Sequence, residues 1–212
     1  MVIKEFCAEN FTDIPRAIAA GSKRIELCDN LTVGGTTPSF GVIDEVVKYA
    51  HDNDATVMTM IRPRGGNFVY SDLEIKIMEV DILKAVELNS DGVVFGCLTA
   101  ENLIDVEAME TLLLAAGGAQ VVFHMAFDLI PRDAQFKAVD WLIKHGVTRI
   151  LTHGNTSEYS IEAGLSQLKA LIDYADGRIE ILVGGGVTYQ NYQAVVEATG
   201  TNQVHGTKIV KL

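Results

Sequence analysis

The sequence predicts an α/β chain folded as a small TIM, or (β/α)8, barrel. Short apolar runs rich in β-branched residues alternate with longer stretches of helical periodicity. Eight such runs recur at the spacing of a βα unit, and eight parallel strands with helical crossovers close a barrel. The alternative is a doubly wound open sheet, which usually carries a glycine-rich loop after its first strand. Here that strand ends in Cys7-Ala8-Glu9-Asn10, so we favour one barrel domain over residues 1–212.

The elements follow from the pattern in chain order. The predicted strands are Val2–Cys7, Lys23–Leu27, Thr56–Ile61, Gly92–Phe95, Gln120–His124, Thr148–Thr152, Arg178–Val183 and Gln203–Thr207. The predicted helices are Thr12–Ala20, Val42–His51, Asp72–Leu88, Val106–Ala116, Ala134–His145, Ile161–Tyr174 and Gln190–Ala198. Few residues follow the last strand, so we expect the eighth outer helix to be missing or rudimentary. The apolar tail, residues 209–212, suggests a gap that a second subunit covers in a homodimer.

Charge and composition exclude several function classes. The formal net charge is −11, from 17 Lys and Arg against 28 Asp and Glu, which disfavours binding to nucleic acid or to anionic membranes. The sequence shows neither a signal peptide nor an apolar run of about 18 residues. Three cysteines do not make a disulfide framework. We therefore expect a cytoplasmic protein with free thiols.

Charged residues fall on the predicted inner face of the strands. Residues two apart on a strand share a face, which groups Glu5 with Cys7 and groups Arg24, Glu26 and Cys28. On the fifth strand the same alternation runs through Val122, His124, Ala126 and Asp128. Because isolated buried charges are costly, they should be paired, and such an interior usually serves a ligand. The acid/base candidates are Glu5, Glu26, His124 and Asp128. The alternative is a purely stabilising network of ion pairs.

Two cysteines occupy equivalent positions. Cys7 and Cys28 each follow a glutamate by two residues at a strand end, and thiolates are soft ligands suited to Cu(I). His124, His205 and Met60 are additional candidate ligands. The alternative is that both thiols simply pack a strand end, the more common fate of a free cysteine. No Cys-x-x-Cys or His-x3-His spacing supports zinc.

Several loops predict an anion site on one rim of the barrel. Arg62 and Arg64 flank Pro63 above the third strand, where two guanidiniums suit a carboxylate or phosphate. The loop 34–39 ends in a serine that can cap the next helix. Gly184, Gly185 and Gly186 leave the seventh strand, where barrels often hold phosphate, and His205 stands on the eighth. Together these residues predict a small anionic ligand.

The sequence resembles the CutC copper homeostasis family over nearly its whole length. The matching blocks are residues 5–7, 24–28, 34–39, 61–66, 70–72, 123–124, 126–128, 151–152, 184–186 and 204–205. The resemblance implies a cytoplasmic TIM barrel, commonly dimeric, that is linked to copper tolerance or trafficking. It also implies that Cys7 and Cys28, which match the family's two strand-end cysteines, are the Cu(I) ligands.

Four positions depart from the family pattern. Met125 stands where an arginine is usual, and Asn67 where an aspartate is usual. His153 and Gly206 each replace a serine. The two cysteines are intact, whereas part of the polar rim has changed.

Two functions follow from these residues. The first is a copper homeostasis protein that binds Cu(I) through Cys7 and Cys28, and this is the function we predict. The alternative is an enzyme of the isomerase, lyase or hydrolase type acting on a small anionic or phosphorylated metabolite. In that case Arg62, Arg64, His205 and the glycines 184–186 bind the ligand, and the acid/base candidates act on it. A non-catalytic interaction protein is the third reading.

Overall fold

Eight parallel strands form a closed barrel. The computed structural model describes residues 2–156 and 158–212. Its strands are β1 (Ile3–Glu9), β2 (Arg24–Cys28), β3 (Thr56–Met60), β4 (Gly92–Phe95), β5 (Gln120–Phe123), β6 (Arg149–Thr152), β7 (Glu180–Val183) and β8 (Gln203–Gly206). They follow one another around the barrel in chain order, and β1 pairs with β8 to close it. The predicted TIM barrel is thus confirmed, and the doubly wound open sheet is excluded.

Seven α-helices alternate with the strands in the described ranges. They are α1 (Ile14–Ala19), α2 (Phe40–Asp52), α3 (Asp72–Glu87), α4 (Val106–Ala116), α5 (Arg132–Lys144), α6 (Ile161–Ala175) and α7 (Tyr192–Thr199). Local sequence explains several helix starts. Ser39 caps α2 by accepting a hydrogen bond from the Val42 amide, and Ser71 and Glu74 form a reciprocal capping box at α3. The observed helix bounds differ from the predicted ones by only a few residues.

Two short 3₁₀ helices, Leu31–Val33 and Met125–Leu129, lie in the loops after β2 and β5. The sequence pattern did not predict either of them. The second one corrects the expected course of the fifth strand. We predicted that the strand alternation would extend to Asp128. β5 instead ends at Phe123, so this prediction is wrong.

The chain covers its own apolar tail. After β8 no helix is present in the described residues 207–212, as expected. Ile209 and Val210 are nonetheless buried, because they join the cluster formed by Phe6, Val183 and Val204. The amide of Tyr189 also donates to the Lys208 carbonyl at 2.8 Å. Ile209 and Val210 are therefore already buried within one chain, and cover of the tail by a second subunit stays a prediction.

The apolar core has an outer and an inner part. Most buried apolar residues pack between the strands and the helices around them. A smaller inner cluster fills the barrel towards the carboxyl ends of the strands. Its members are Cys7, Cys28, Met58, Met60, Val94, Val122, Leu151 and Leu182. In this fold the carboxyl ends carry the functional site, and the inner cluster forms its floor.

Candidate metal and ligand site at the barrel mouth

Strand register brings three groups with metal-binding atoms together. Cys7 on β1 is paired with Glu26 on β2, while Glu5 on β1 is paired with His205 on β8. Cys7 Sγ lies 3.2 Å from Glu26 Oε2, and His205 Nε2 lies 3.6 Å from the same oxygen. One ligand atom each from Cys7, Glu26 and His205 falls within 4.8 Å of the others. All three residues are buried.

Cys28 joins this group from the end of β2. Its Sγ lies 3.6 Å from Glu26 Oε2, the oxygen that Cys7 also contacts. The loop after β2 packs closely on it. Gly35 has φ +87°, and a Cβ at Gly35 would stand 3.1 Å from Cys28 Sγ. A glycine is therefore needed here both for the left-handed backbone and for the close approach to the sulfur.

A fully paired polar layer supports the cluster from below. Glu5 accepts from Arg24 Nε through Oε2 and lies 2.9 Å from His205 Nδ1 through Oε1. Arg24 also donates to Gln203 Oε1 at 2.7 Å. Burial alone would raise the pKa of Glu5, but Arg24 and His205 lower it to about 2. Glu5 is therefore ionised, and it fixes the orientation of the His205 ring.

The groups above that layer have pKa values displaced in different directions. A hydrogen bond from Cys28 is the largest influence on Cys7, and with His205 it holds the pKa of the Cys7 thiol well below its usual range. The same hydrogen bond, with burial, raises the pKa of Cys28. Burial raises the pKa of Glu26 well above its usual range. The cluster therefore favours a thiolate at Cys7 over one at Cys28.

His205 favours its charged form in this setting. Burial opposes a charge on the ring, but Glu26 and the hydrogen bonds to Cys7 and Glu5 outweigh it, so the pKa of His205 is raised. The ring thus connects the paired carboxylate of Glu5 below to the thiolate of Cys7 above.

A cavity of about 210 Å³ opens above the cluster. Its floor includes Cys7, Glu26 and His205. The other lining residues are Leu31, Gly34, Met60, Arg62, Phe68, His124, Met125, Leu151 and Thr207. Of the predicted site residues, the structure therefore brings Arg62, His124 and His205 together with Cys7 and Glu26.

Arg62 is held rigidly in the cavity wall. Its Nη1 donates to the carbonyls of Val33 and Gly35 at 3.0 and 3.1 Å, and its Nη2 donates to the Gly66 carbonyl at 2.8 Å. These bonds join the loop after β2 to the loop after β3. The guanidinium also lies 4.7 Å from the centroid of the Phe68 ring. Arg62 therefore provides a fixed positive charge whose position is set by backbone carbonyls.

His124 enters the cavity as a neutral ring. Its Nδ1 accepts a hydrogen bond from the Ala126 amide at 3.3 Å, which leaves the ring proton on Nε2. Burial, with the nearby charge of Arg62, lowers the pKa of His124 to about 3. Among the described residues Nε2 has no hydrogen-bond partner. A Cβ at Gly96 would lie 2.9 Å from Nδ1, so only glycine there allows the ring its place.

Asp128 lies away from the cavity. The 3₁₀ helix turns its side chain to the end of β6, where it accepts from the Thr152 hydroxyl and from the amides of His153 and Gly154. Burial outweighs these bonds and raises the pKa of Asp128 to about 6. The predicted inward orientation is wrong because the strand ends at Phe123. The observed contacts make Asp128 a support for the loop after β6.

Arg64 and the glycine loop also lie apart from the cavity lining. Arg64 Nε donates to Glu74 Oε1 at 2.5 Å, and its Nη1 and Nη2 donate to the carbonyls of Asn67 and Val69. Gly184 packs against Leu151 and His205, whereas Gly185 and Gly186 line a different cavity beside His153. The single anion-binding rim expected from sequence is therefore split.

Two of the residues that sequence reasoning missed are Gln203, below the cluster, and Phe68, in the cavity lining. Gln203 precedes His205 by two positions on β8, so the alternation that placed His205 inside could have found it. Phe68 lies 4.7 Å from the His124 ring, between centroids. Phe68 lies in an irregular loop, where no strand or helix periodicity predicts which way its side chain points.

Comparison with known proteins places the chain in a family. The family model described as the CutC family matches residues 2–210. The chain belongs to the CutC family. The family protein CutC of Enterococcus faecalis is 57% identical over 209 residues, which cover 99% of this chain and 100% of that protein. The human copper homeostasis protein cutC homolog is 41% identical over 203 residues, covering 96% of this chain and 72% of that one.

Solved structures agree with this membership. A structure described as a copper homeostasis protein CutC from Streptococcus agalactiae has a TM-score of 0.97 at 56% identity, over 99% of this chain and 100% of that one. Deoxyribose phosphate aldolase from Aeropyrum pernix has a TM-score of 0.68 at 13% identity, over 98% and 85%. The second likeness shows only the shared barrel fold. In the described residues of this chain, no helix has the length and apolar character to cross a bilayer.

Proposed function

We propose that this CutC family chain binds Cu(I) at the barrel mouth through Cys7 and Cys28. One observation carries the proposal: the sulfurs of both cysteines, from neighbouring strands, converge on the same oxygen of Glu26, at 3.2 and 3.6 Å. The two thiols are buried and reduced. Relatives named copper homeostasis proteins support the choice of metal.

The surroundings favour Cu(I) over zinc. Zinc sites in proteins use thiolate, imidazole and carboxylate ligands, whereas Cu(I) also accepts thioethers. Met60 lies in the inner cluster with the two cysteines and lines the cavity above them, whereas Met58 Sδ accepts from Arg149 Nη1 at 3.6 Å. The lowered pKa of Cys7 supplies a thiolate, which is the form that binds metal. His205 is the candidate third ligand.

Strand register places the two cysteines next to each other. Cys7 is paired with Glu26, and Cys28 with Glu9, so the two cysteines are diagonal neighbours on adjacent parallel strands. Both are free thiols in the structure, so both sulfurs are available to a metal.

An anaerobic Cu(I) titration against a competing chelator tests the proposal. The variants are C7S/C28S and, as a matched control, Cys97→Ser, because Cys97 is equally buried but packs in the outer core. We expect the double variant to lose more than about 100-fold in affinity, beyond the effect of an outer-shell change, and the control to bind as wild type does. Equal binding by all three proteins would overturn the proposal. In a parallel titration, wild-type protein should bind Zn²⁺ more weakly than Cu(I).

The cytoplasmic location and the homodimer belong to the same proposal. Free thiols fit a reducing compartment. Size-exclusion chromatography with light scattering should give the mass of two chains, and a single-chain mass at micromolar concentration would contradict the dimer.

A further inference from the structure

The mouth cavity has the character of a small-molecule site, and the copper proposal does not use its upper part. Its walls are apolar, formed by Leu31, Met60, Phe68, Met125 and Leu151, and only a few polar groups reach it. At about 30 Å³ for each water-sized group, the 210 Å³ of the cavity suits a ligand of roughly six or seven heavy atoms.

One side of the cavity offers a donor and a positive charge. His124 is 4% exposed, and its Nε2–H has no partner within the described part of the chain. Buried donors without a partner are rare, because each one forfeits a hydrogen bond that water would have made. The guanidinium of Arg62 contacts the same Phe68 ring as His124 does. This side therefore suits an anionic oxygen.

The floor offers a different unpartnered group. Glu26 Oε2 is engaged by both cysteines, but Oε1 is buried without a partner among the described residues. A hydroxyl group can satisfy it in either protonation state, because a hydroxyl both donates and accepts. Glu26 and His124 line the same cavity, and each has one polar atom without a partner among the described residues.

We propose that this cavity binds a small hydroxycarboxylate of three or four carbons. Its carboxylate accepts from His124 Nε2 beside Arg62, and its hydroxyl bonds to Glu26 Oε1. A phosphate ester fits less well, since the lining contains one arginine and no lysine. The glycines 185 and 186, which could donate backbone amides to a phosphate, line another cavity.

The first test uses ligands alone. Metal-free, reduced wild-type protein is titrated by NMR with lactate, propionate, lactamide and inorganic phosphate. We expect lactate to bind, propionate to bind about fivefold to tenfold more weakly because it lacks the hydroxyl, and lactamide and phosphate to show no saturable binding. Absence of lactate binding, or binding no tighter than that of lactamide or phosphate, would overturn the proposal. Because no metal is present, either result leaves the copper proposal to its own titration.

Variants then locate the ligand. His124→Leu keeps the bulk of the side chain but removes the donor, and should weaken lactate binding about tenfold, the equivalent of one hydrogen bond to a charged group. His124→Gln keeps an N–H donor and should retain part of the affinity. His51→Gln is the control, because His51 is partly exposed and paired with Asp91. Unchanged lactate binding in His124→Leu would overturn the placement.

A variant that is expected to bind lactate more tightly gives a test that loss of folding cannot mimic. Met125 lines the cavity and carries no charge, so Met125→Arg adds a second cation to the anion side. We expect lactate to bind about tenfold more tightly and phosphate to begin binding. Weaker or unchanged lactate binding in a folded Met125→Arg protein would count against the anion site.

Discussion

The barrel interior contains a lower and an upper layer of polar side chains, two residues apart along β1 and β2. The two layers differ in how completely their polar groups are paired. In the lower layer, Arg24 donates to both Glu5 and Gln203, and Glu5 also meets His205. In the upper layer, two polar atoms have no hydrogen-bond partner among the described residues. They are Oε1 of Glu26 and Nε2 of His124.

The two glutamates show what this difference means. Glu5 and Glu26 are both buried, but strong pairing lowers the pKa of Glu5 to about 2, while burial raises that of Glu26. A fully compensated layer stabilises the barrel and holds His205 in place. An incompletely paired layer leaves groups free to bind a metal or a ligand, at some expense in stability. On β1 and β2 the compensated and the incompletely paired groups thus lie two residues apart.

Breaking the lower layer should have the largest effect. Arg24→Met leaves the carboxylate of Glu5 buried without its main partner, and we expect the free energy of unfolding to fall by about 3–5 kcal/mol. Urea unfolding followed by circular dichroism measures it. Arg16→Met is the control, because Arg16 pairs with Asp13 at the surface and exposed pairs contribute little. A small loss in Arg24→Met would show that the lower layer is not compensated as described.

The free energy of unfolding should depend on pH in a way that reveals the neutral His124 ring in the upper layer. His124 has a pKa of about 3 when folded, against 6.5 in the unfolded chain. Its contribution to stability is therefore present above pH 6.5 and is lost as the pH falls below that value, since only the unfolded chain takes up the proton. Between pH 7 and pH 5 we expect wild type to lose about 2 kcal/mol more than His124→Gln.

The comparison of unfolding curves at both pH values measures this difference. Parallel losses in wild type and His124→Gln would contradict a neutral, buried His124.

Replacing the upper glutamate should have the smallest effect on stability. Glu26→Gln removes a carboxyl group whose charged form is disfavoured by burial, which raises its pKa, so we expect a change of about 1 kcal/mol or less at neutral pH. Glu5→Gln, its counterpart in the lower layer, should be several times more destabilising. Equal losses in the two variants, measured by urea unfolding, would remove the distinction between the layers.

Much of the site could be predicted from strand alternation. The period of two placed Glu5 with Cys7, and Arg24 with Glu26 and Cys28, on the inner face, and the structure buries all five there. The roles assigned to them stay predictions. Alternation failed at Asp128 because it holds only while the chain remains a strand, and β5 gives way to a 3₁₀ helix at Met125.

Loop residues were harder to place. Arg62 and Arg64 are two positions apart, yet one lines the mouth cavity and the other pairs with Glu74 on α3. The choice between them depends on backbone carbonyls from two different loops, which become neighbours only when β2 and β3 pair. No local pattern encodes that proximity.

The sequence by itself therefore determined the barrel, the inward faces of the first two strands and the position of both cysteines at the strand ends, because hydrophobic periodicity is a local property of the chain. Only the tertiary structure decided which buried polar atoms find partners. Hydrogen bonds between side chains depend on distances across strands and loops that are far apart in sequence. Glu5 meets His205 across 200 residues, while Nε2 of His124 meets no protein partner in the described chain.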